Sequence, residues 1–427
     1  MALTRKDNLW VLVLGLGLCW AVLDTLFVWG LALERSNGSD FASYFWAWHA
    51  AQEGMDPYQT ANLGWLSREA GGVRGVHPFF YPPPFLLSMS WLGELTVTQA
   101  YRIWFWVDVA ATVACAGMLA AWWRGLDRRL AFLAWLGFLW MTAVPNNHAM
   151  GQVNLPVLAL VIAGLWAEDR RYSTAGGVLL GLACMAKMSP AFLVAWWLLR
   201  RRFHAVAVAC ATAVVLSLLA LWVVPAETQW RFYTEVLPGF GSGDYNGLRV
   251  PIGMFGNHSI PNVFHALFPS ADGALSMTAR RLTTAVLFGT LAVMAAAFWK
   301  RPADAWARYG QIATVCTALL LVPVYTYEHH LVYAIPAAVI LIGAAMAKRL
   351  PGWTLAIWIV ALVALAFELG TLKSLSRMAP NGLDVVLQEL KFASLLVLFV
   401  GGLLLGRSRP SGQEEQGMRD KRRIHAG

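Results

Sequence analysis

The sequence predicts an all-α polytopic membrane protein with about twelve transmembrane helices. Of the 427 residues, 58% are hydrophobic, 22 are tryptophan and only 13% are charged, whereas soluble domains carry about 25% charged residues. The hydrophobic residues form runs separated by short polar segments, which is the pattern of a chain that crosses a bilayer repeatedly. Composition and patterning together exclude a soluble domain.

The apolar runs predict where the helices lie. The first run, residues 10–31, is longer than the apolar region of a signal peptide and has no small-residue cleavage site, so we expect it to remain as a membrane anchor. Several later runs are shorter than the roughly 20 residues that a spanning helix needs, and these must extend into their polar flanks or be shielded by neighbours. The later runs are residues 100–123, 130–144, 155–167, 175–186, 191–199, 205–224, 283–299, 311–325, 331–347, 353–370 and 385–405.

Basic residues lie at alternate ends of these runs and indicate the topology. Counting twelve crossings places every basic cluster on one side, as expected of cytoplasmic loops. Both termini are then cytoplasmic, and we expect the protein in the inner (cytoplasmic) membrane of a bacterium. The apolar segment 81–95 would break this agreement if it crossed, so we predict that it is juxtamembrane or re-entrant. The basic clusters are residues 124–129, 170–171, 200–202, 300–301, 348–349 and the stretch from Arg407 onward.

The same distribution of charge limits the domain organisation and the partners. The net charge of +9 comes from the loop clusters, and no soluble basic domain is present to bind nucleic acid. The five cysteines lie inside apolar runs without CxxC pairing and are interpreted as small buried hydrophobic residues. We expect one domain over 1–406, with a first external loop at 32–99 and a long external loop at 225–281, followed by a disordered basic cytoplasmic tail at 407–427.

Aromatic residues in the first external loop predict a helix on the external face of the membrane. Phe41, Tyr44, Phe45 and Trp48 recur at i, i+3, i+4 and i+7, which is one apolar face of an amphipathic helix lying along the membrane surface. Asp40 stands at the start of this helix. It is either an ordinary N-cap residue or a general base, and the sequence leaves both interpretations open.

Other polar residues on the external face also have two interpretations. Lys187 lies at the outer end of its run, where a lysine can extend to the interface, although a charge at that depth is costly without a partner and this favours a binding role. His329 and His330 are adjacent, so a regular helix cannot direct both side chains into one pocket. We expect His329 to be the one that faces the site. Asp56, which precedes Pro57, is expected to be a turn residue.

Five segments, taken in order, resemble glycosyltransferase family 87, a family of membrane mannosyltransferases with a GT-C fold that use polyprenyl-phosphate sugars. One departure is Asn257-His258-Ser259, where the family is expected to carry Asn-Gln-Ser. The resemblance covers most of the chain except the last two runs and the tail. The segments are Ser39-Asp40-Phe41-x-x-Tyr44 with Gly54-x-x-Pro57-Tyr58, then Tyr81-Pro82-Pro83, Gly151-Gln152-Val153-Asn154, Ala175-Gly176 through Gly181-Leu182-Ala183 to Lys187 and Pro190, and Glu328-His329-His330.

The resemblance implies transfer of a hexose, expected to be mannose, from a polyprenyl-phosphate donor to a lipid or glycan acceptor outside the cytoplasm. The departing lipid phosphate needs no protonation near neutral pH, so a single carboxylate base suffices and direct attack inverts the anomeric carbon. The resemblance implies Asp40 as that base, with His329 as a second catalytic residue. No DxD or HExxH motif is present, and we expect no metal ion or other cofactor.

The resemblance also implies which residues bind the substrates. The departing phosphate needs fixed positive charge or hydrogen-bond donors. We expect these from Lys187 and His330, and also from His258, where the chain departs from the glutamine expected of the family. The remaining substrate-binding side chains are expected to be Tyr44, Tyr58, Tyr81, Gln152, Asn154, Asn257 and Glu328.

Two other classes of function remain possible on the sequence. Asp24, Asp108 and Glu368 lie within or near apolar runs, and intramembrane carboxylates often mark the ion pathway of a transporter or a lipid flippase. A transporter should show internal repeats and charges at the midplane, whereas the polar residues here concentrate at one surface and no repeat is visible. A non-catalytic membrane scaffold is the third possibility, and it predicts that replacing Asp40 leaves the glycolipids of the cell unchanged.

Overall fold

The computed structural model describes most of the chain, and its regular secondary structure is helical, with no β-strand among the residues described. Most of the predicted tail and part of the first predicted run lie outside these residues. The described residues are 15–30 with gaps at 18, 21 and 28, then 38–72, 75–242, 252–271, 273–380 and 382–407.

Twenty α-helices follow one another along the described residues. Three 3₁₀ helices, Pro83–Met89, Ala220–Trp222 and Glu328–Tyr333, and one π-helical turn, Phe232–Val236, lie between them. The α-helices are α1 (Gly15–Phe27, described with the gaps given above), α2 (Phe41–Gln52), α3 (Thr60–Glu69), α4 (Val97–Trp123), α5 (Arg128–Trp140), α6 (Ala143–Met150), α7 (Asn154–Asp169), α8 (Ser173–Ala186), α9 (Ala191–Leu199), α10 (Phe203–Leu219), α11 (Ala226–Arg231), α12 (Leu237–Ser242), α13 (Ile260–Leu267), α14 (Met277–Phe298), α15 (Ala305–Leu321), α16 (Ala334–Met346), α17 (Thr354–Ala366), α18 (Leu369–Met378), α19 (Leu383–Gln388) and α20 (Leu390–Gly406).

Four of the described helices are long and apolar enough to cross a membrane by themselves. They are Val97–Trp123, Phe203–Trp222, Met277–Phe298 and Glu328–Met346. A bent pair, α17 with α18, makes up to a fifth span, and α1, α8 and α20 are shorter apolar helices. The chain is therefore an integral membrane protein that is helical over the residues described, and each apolar run after the first coincides with a helix or a pair of helices.

The run 353–370 differs from the single helix that its hydrophobicity predicted. Helix α17 ends at Ala366, and α18 leaves it at an angle of 94°. Glu368 is the N-cap of α18, and its carboxylate accepts hydrogen bonds from the backbone N–H groups of Gly370 (2.7 Å) and Thr371 (2.5 Å). Glu368 thus satisfies the free donors of a helix start, which is a structural role different from an intramembrane charge.

Helix α2 also differs from the prediction of an amphipathic helix on the membrane surface. On its expected apolar face Phe41, Tyr44 and Phe45 are buried and Trp48 is half-buried, but Ser43, Ala47 and Ala50 on its other sides are buried as well. Buried residues therefore lie on more than one side of the helix, so it packs against the protein rather than along the membrane surface by a single face. Beyond α3, the segment Pro83–Met89 is a short, mostly buried 3₁₀ helix, which agrees with the prediction that 81–95 does not cross the membrane.

Glycine residues bring α8 close to its two neighbours. A Cβ on Gly176 would lie 3.0 Å from the backbone oxygen of Gly164 in α7, and one on Gly177 would lie 2.6 Å from the backbone oxygen of Ala205 in α10. Small residues at such crossings let helix backbones pack directly in membranes. This packing fixes the position of α8 and hence of Lys187, the residue immediately after it.

Candidate active site

Asp40 occupies the N-cap position of α2 but does not use its side chain as a cap. Its backbone N–H donates to the carbonyl of Met150 (3.1 Å), which ties the start of α2 to the end of α6. The carboxylate instead accepts a hydrogen bond from Gln152 Nε2 at Oδ2 (2.6 Å), and Oδ1 lies 3.5 Å from His77 Nδ1. The structure therefore does not support the capping interpretation and leaves the carboxylate available for chemistry.

Two tyrosines hold Gln152 in the orientation that points its amide nitrogen at Asp40. The Tyr81 hydroxyl donates to Gln152 Oε1 (2.9 Å) and accepts a hydrogen bond from the Tyr44 hydroxyl (2.7 Å). Burial raises the pKa of both phenols, so they remain protonated and act as donors. Because Oε1 is occupied by phenols, Nε2 is the end of the amide that faces the carboxylate.

Lys187 lies on the other side of this group and is turned into the protein. Its Nζ donates to Asn154 Oδ1 (2.6 Å) and stands 5.8 Å from the centre of the Tyr81 ring. Burial lowers the pKa of Lys187 to about 7, and the nearby charge of Asp40 opposes this shift. An ammonium group with few partners in a partly dry site is suited to receive a phosphate.

Asn147 connects the Asp40 side of the site to the Lys187 side. Its Nδ2 donates to the backbone oxygen of Gln152 (2.9 Å) and to Asp108 Oδ2 (3.2 Å). Its Oδ1 accepts from Asn154 Nδ2 (3.1 Å). The lysine can only donate and the carboxylate can only accept, so these two ends fix the direction of every hydrogen bond in the chain from Lys187 to Asp108.

The two adjacent histidines have different surroundings. His330 Nδ1 accepts a hydrogen bond from the backbone N–H of Tyr327 (3.0 Å), which leaves the other ring nitrogen as a donor. The His329 carbonyl accepts from Asn154 Nδ2 (3.3 Å), and its ring is near enough to Asp40 and Lys187 to interact electrostatically with both. The rings are inclined by 75° with their centres 4.4 Å apart. The roles predicted for them in catalysis and phosphate binding stay predictions.

Glu328 and His258 form a buried cluster with a lysine of the last helix. Glu328 Oε1 accepts from Lys391 Nζ and from the Thr142 hydroxyl (3.0 Å), while Oε2 lies 3.7 Å from His258 Nε2. The His258 backbone N–H donates to the carbonyl of Thr326 (2.8 Å), and burial lowers the pKa of its imidazole. Glu328 contacts both His258 and Lys391, so the cluster connects the segment that carries the adjacent histidines to the long loop and to α20.

Asn257 and Tyr58 hold loops in place. The Asn257 side chain donates to the carbonyls of Ile252 and Val324, each at 3.0 Å, and so ties the long loop to the segment after α15. The Tyr58 hydroxyl donates to the backbone oxygen of Tyr81 (2.9 Å). Both residues therefore contact backbone groups that support the site, and their expected contacts with substrate stay predictions.

Asp56 is the turn residue that its position before Pro57 predicted. Its Oδ1 accepts from the backbone N–H of Tyr58 (3.0 Å), and its carboxylate pairs with Arg231. The Asp56 carboxylate is therefore held by a backbone N–H and an arginine, whereas the Asp40 carboxylate is held by Gln152 and lies beside His77. Among the residues described, no three His, Cys, Asp or Glu side chains converge as metal ligands do.

The roles of three residues of this region were not predicted from the sequence. Lys391 interrupts an apolar run, and a buried charge in such a run signals a partner. Asn147 lies in a polar segment of the external face but stands outside the motifs. His77 reaches Asp40 only because the chain folds back after α3, and no local pattern indicates that contact.

The helical bundle and the groups gathered at its end characterise an integral membrane enzyme. Residues 79–323 match the model of glycosyltransferase family 87, which is more than half of the chain, and the chain belongs to this family. The family predicted from the motifs is thereby confirmed, and with it glycosyltransferase activity. The matched residues include Gln152, Asn154 and Lys187, whereas Asp40 and His329 lie outside them.

Curated relatives come from mycobacteria. The chain is 28% identical over 313 residues to a polyprenol-phosphate-mannose-dependent alpha-(1-2)-phosphatidylinositol mannoside mannosyltransferase of Mycobacterium tuberculosis, covering 67% of this chain and 69% of the relative. It is also 28% identical over 285 residues to a polyprenol-phosphate-mannose-dependent alpha-(1-2)-phosphatidylinositol pentamannoside mannosyltransferase of Mycolicibacterium smegmatis, covering 65% of each chain. The chain thus spans about two thirds of the length of these relatives.

Proposed function

We propose that this glycosyltransferase moves a mannosyl group from polyprenyl phosphate to a lipid or glycan acceptor, with Asp40 as the general base. The observation that carries the proposal is that a carboxylate that does not cap its helix and a half-buried lysine meet around the Gln152–Asn154 turn. The names of the mycobacterial relatives support polyprenol-phosphate-mannose as the donor and a mannosylated phosphatidylinositol as the kind of acceptor.

In the proposed reaction the acceptor oxygen attacks the anomeric carbon while the bond from that carbon to the phosphate oxygen breaks. The proton of the acceptor hydroxyl passes to Asp40, and the lipid phosphate leaves as an anion without needing a proton. A single direct displacement inverts the anomeric carbon. Gln152 holds the carboxylate by one oxygen, so the other oxygen is the one that faces the acceptor, beside His77.

Lys187 is proposed to bind the phosphate of the donor, with His330 and His329 nearby. The ammonium group offers two hydrogens besides the one donated to Asn154, and fixed positive charge stabilises the phosphate as its negative charge grows. Because this chain supplies that charge from its own residues, we propose that transfer requires no metal ion.

We also propose how the chain is arranged in the membrane. The agreement between apolar runs and helices supports a GT-C type fold with about twelve membrane crossings. The clustering of basic residues at the ends of α7, α9 and α14 supports a topology with both termini in the cytoplasm of a bacterium and Asp40 outside the inner membrane.

Donor specificity tests this proposal. The purified protein in liposomes, with EDTA present, is given a phosphatidylinositol mannoside acceptor and radiolabelled mannose either on polyprenyl phosphate or on a nucleotide. We expect labelled lipid only from the polyprenyl-phosphate donor, and undiminished by EDTA. Transfer from the nucleotide donor would contradict the proposed donor, and loss of transfer with EDTA would contradict metal independence.

A further inference from the structure

A cavity of about 750 Å³ lies at the end of the helical bundle opposite Asp40. It is lined where α7 joins α8, where α9 joins α10 and where α14 joins α15. The other ends of α7, α8 and α15 carry Asn154, Lys187 and the residues leading to Glu328. These helices hold 16, 14 and 17 residues, so about 20–25 Å separate the cavity from the active site at roughly 1.5 Å per residue.

Arginine side chains dominate the lining of this cavity. Two carboxylates oppose them: Glu168 lies 3.3 Å from Arg202 Nε, and Asp169 lies 2.8 Å from Arg308 Nη1. Six positive charges against two negative charges leave an excess of four on the walls. The arginines are Arg171, Arg200, Arg201, Arg202, Arg301 and Arg308.

The excess charge is not relieved by other acidic side chains among the residues described. Arg200 donates to the carbonyl of Lys300 (2.8 Å), and Arg201 lies over the ring of Trp299 at 5.8 Å. Arg171 and Arg301 are exposed and have no carboxylate within ion-pair distance in the described structure. Burial and the neighbouring arginines lower the pKa of Arg200 to about 10, as expected where like charges are crowded.

Positive residues on a cytoplasmic face have an ordinary explanation, because they set topology and stabilise helix C-termini. The cluster at 124–129 fits that explanation. There Arg129 pairs with Asp127, while Arg124 and Arg128 are exposed and line neither cavity found on the arginine-rich face. The cavity differs because arginines from three separate connections between helices line one cavity.

We propose that this cavity binds the phosphate group of an anionic membrane lipid. Guanidinium groups match phosphate oxygens in geometry and hold two of them at once. The volume falls in the range of about 300–1,000 Å³ typical of ligand sites. Trp299 lines the cavity with 67% of its surface exposed, and exposed tryptophans mark the level of lipid headgroups. Basic pockets at helix ends on this side of a membrane bind such headgroups.

The test compares two double variants that remove the same charge from the same face. R171Q/R301Q replaces two arginines that line the cavity without a carboxylate partner in the described structure, and R124Q/R128Q replaces two arginines outside the cavity. Bound lipid is counted by native mass spectrometry of the full-length protein titrated with phosphatidylglycerol, with phosphatidylcholine as the uncharged reference. We expect R171Q/R301Q to bind phosphatidylglycerol about 30-fold more weakly than wild type, and R124Q/R128Q to bind it as wild type does.

Equal binding by all three proteins would overturn the proposal, and so would equal losses in both double variants, because overall charge would then explain the preference. Inorganic phosphate, titrated in separate samples, distinguishes a lipid from a free anion. Protection against thermal unfolding by millimolar phosphate, lost in R171Q/R301Q, would keep the phosphate site but assign it to a soluble anion. The single variant R301Q, which replaces an exposed residue, checks that a loss of binding does not come from misfolding.

Discussion

At the scale of single residues, the amide of Gln152 connects the Asp40 carboxylate to the Tyr81 hydroxyl. Its oxygen accepts from Tyr81 and its nitrogen donates to Asp40. Reversing the amide would place an oxygen against the carboxylate and break these hydrogen bonds together. The motif around Gln152 indicated its importance in the sequence, but the partners of each atom depend on side chains from α2 and the segment after α3, which are distant along the chain.

The pH dependence of donor use reports the charge of Lys187. Because its pKa is lowered to about 7, the ammonium form predominates below pH 7 and is lost as the pH rises above it. We expect kcat/KM for the polyprenyl-phosphate donor to fall about tenfold per pH unit above pH 7, since this parameter follows the free enzyme. Lys187→Arg keeps its charge to higher pH, so its profile should stay flat there. Identical profiles for both proteins would contradict the assignment.

Asp108 distinguishes the glycosyltransferase from the transporter interpretation. Its buried carboxylate accepts from Asn147 Nδ2, while its other oxygen has no hydrogen-bond partner among the residues described. Asp108→Asn retains an oxygen for Asn147, so we expect transfer to stay within about threefold of wild type, whereas Asn147→Ala should lower kcat about 30-fold or more by breaking contacts on both sides of the site. An inactive Asp108→Asn with an active Asn147→Ala would contradict this account.

At the scale of elements, the turn between α6 and α7 joins α2 to the bundle. Gly151 has φ +68°, and a Cβ there would lie 2.6 Å from Phe41 Cβ. Gly151→Ala therefore combines backbone strain with a clash that pushes the turn away from Asp40.

Gly54 provides a matched control for this prediction. It has the same φ of +68°, but a Cβ there would meet no atom within 4 Å. We expect Gly54→Ala to lose about 1 kcal/mol of stability and keep its activity, and Gly151→Ala to lose transfer more than tenfold as well. Thermal unfolding and transfer assays on both variants measure this, and equal activity losses would contradict the role of the clash.

The elements themselves could be predicted from hydrophobicity better than their ends or their surroundings. Apolar runs indicate helices because a membrane-spanning helix needs a continuous stretch of apolar residues, which is visible in the sequence. The bend at residue 367 was missed because Glu368 caps the next helix through backbone groups, which hydropathy does not register. The burial of α2 was missed because its small residues, such as Ala47 and Ala50, become a packing face only when neighbours cover them.

At the scale of the whole molecule, the chain separates two kinds of chemistry onto two ends of one bundle. Segments far apart in sequence bring Asp40, Gln152 and Lys187 together at one end, and arginines line the cavity at the other. The alternation of motifs and basic clusters predicted this separation. It did not predict that Glu328 would pair with Lys391 in the last helix, because partners across a bundle depend on helix packing that one sequence does not reveal.

The proposed topology predicts opposite labelling of two exposed positions. Glu53, at the end of α2, and Arg128, at the start of α5, are both exposed and take no part in the proposed sites. In intact cells, a membrane-impermeant maleimide should label Glu53→Cys above the wild-type background and should label Arg128→Cys only after the membrane is permeabilised. Labelling of both variants in intact cells would contradict the topology.

Asp40 as the general base is the central claim, and the most direct measurement is the rate of mannosyl transfer by wild type, Asp40→Asn and Asp56→Asn in liposomes with the polyprenyl-phosphate donor. Asn at position 40 still accepts from Gln152 but cannot take a proton, so we expect a loss of about 10²–10⁴-fold. Asp56→Asn, in the same predicted loop, should stay within about tenfold of wild type because it retains the turn. An Asp40→Asn variant that transfers mannose within a few-fold of wild type would contradict the account.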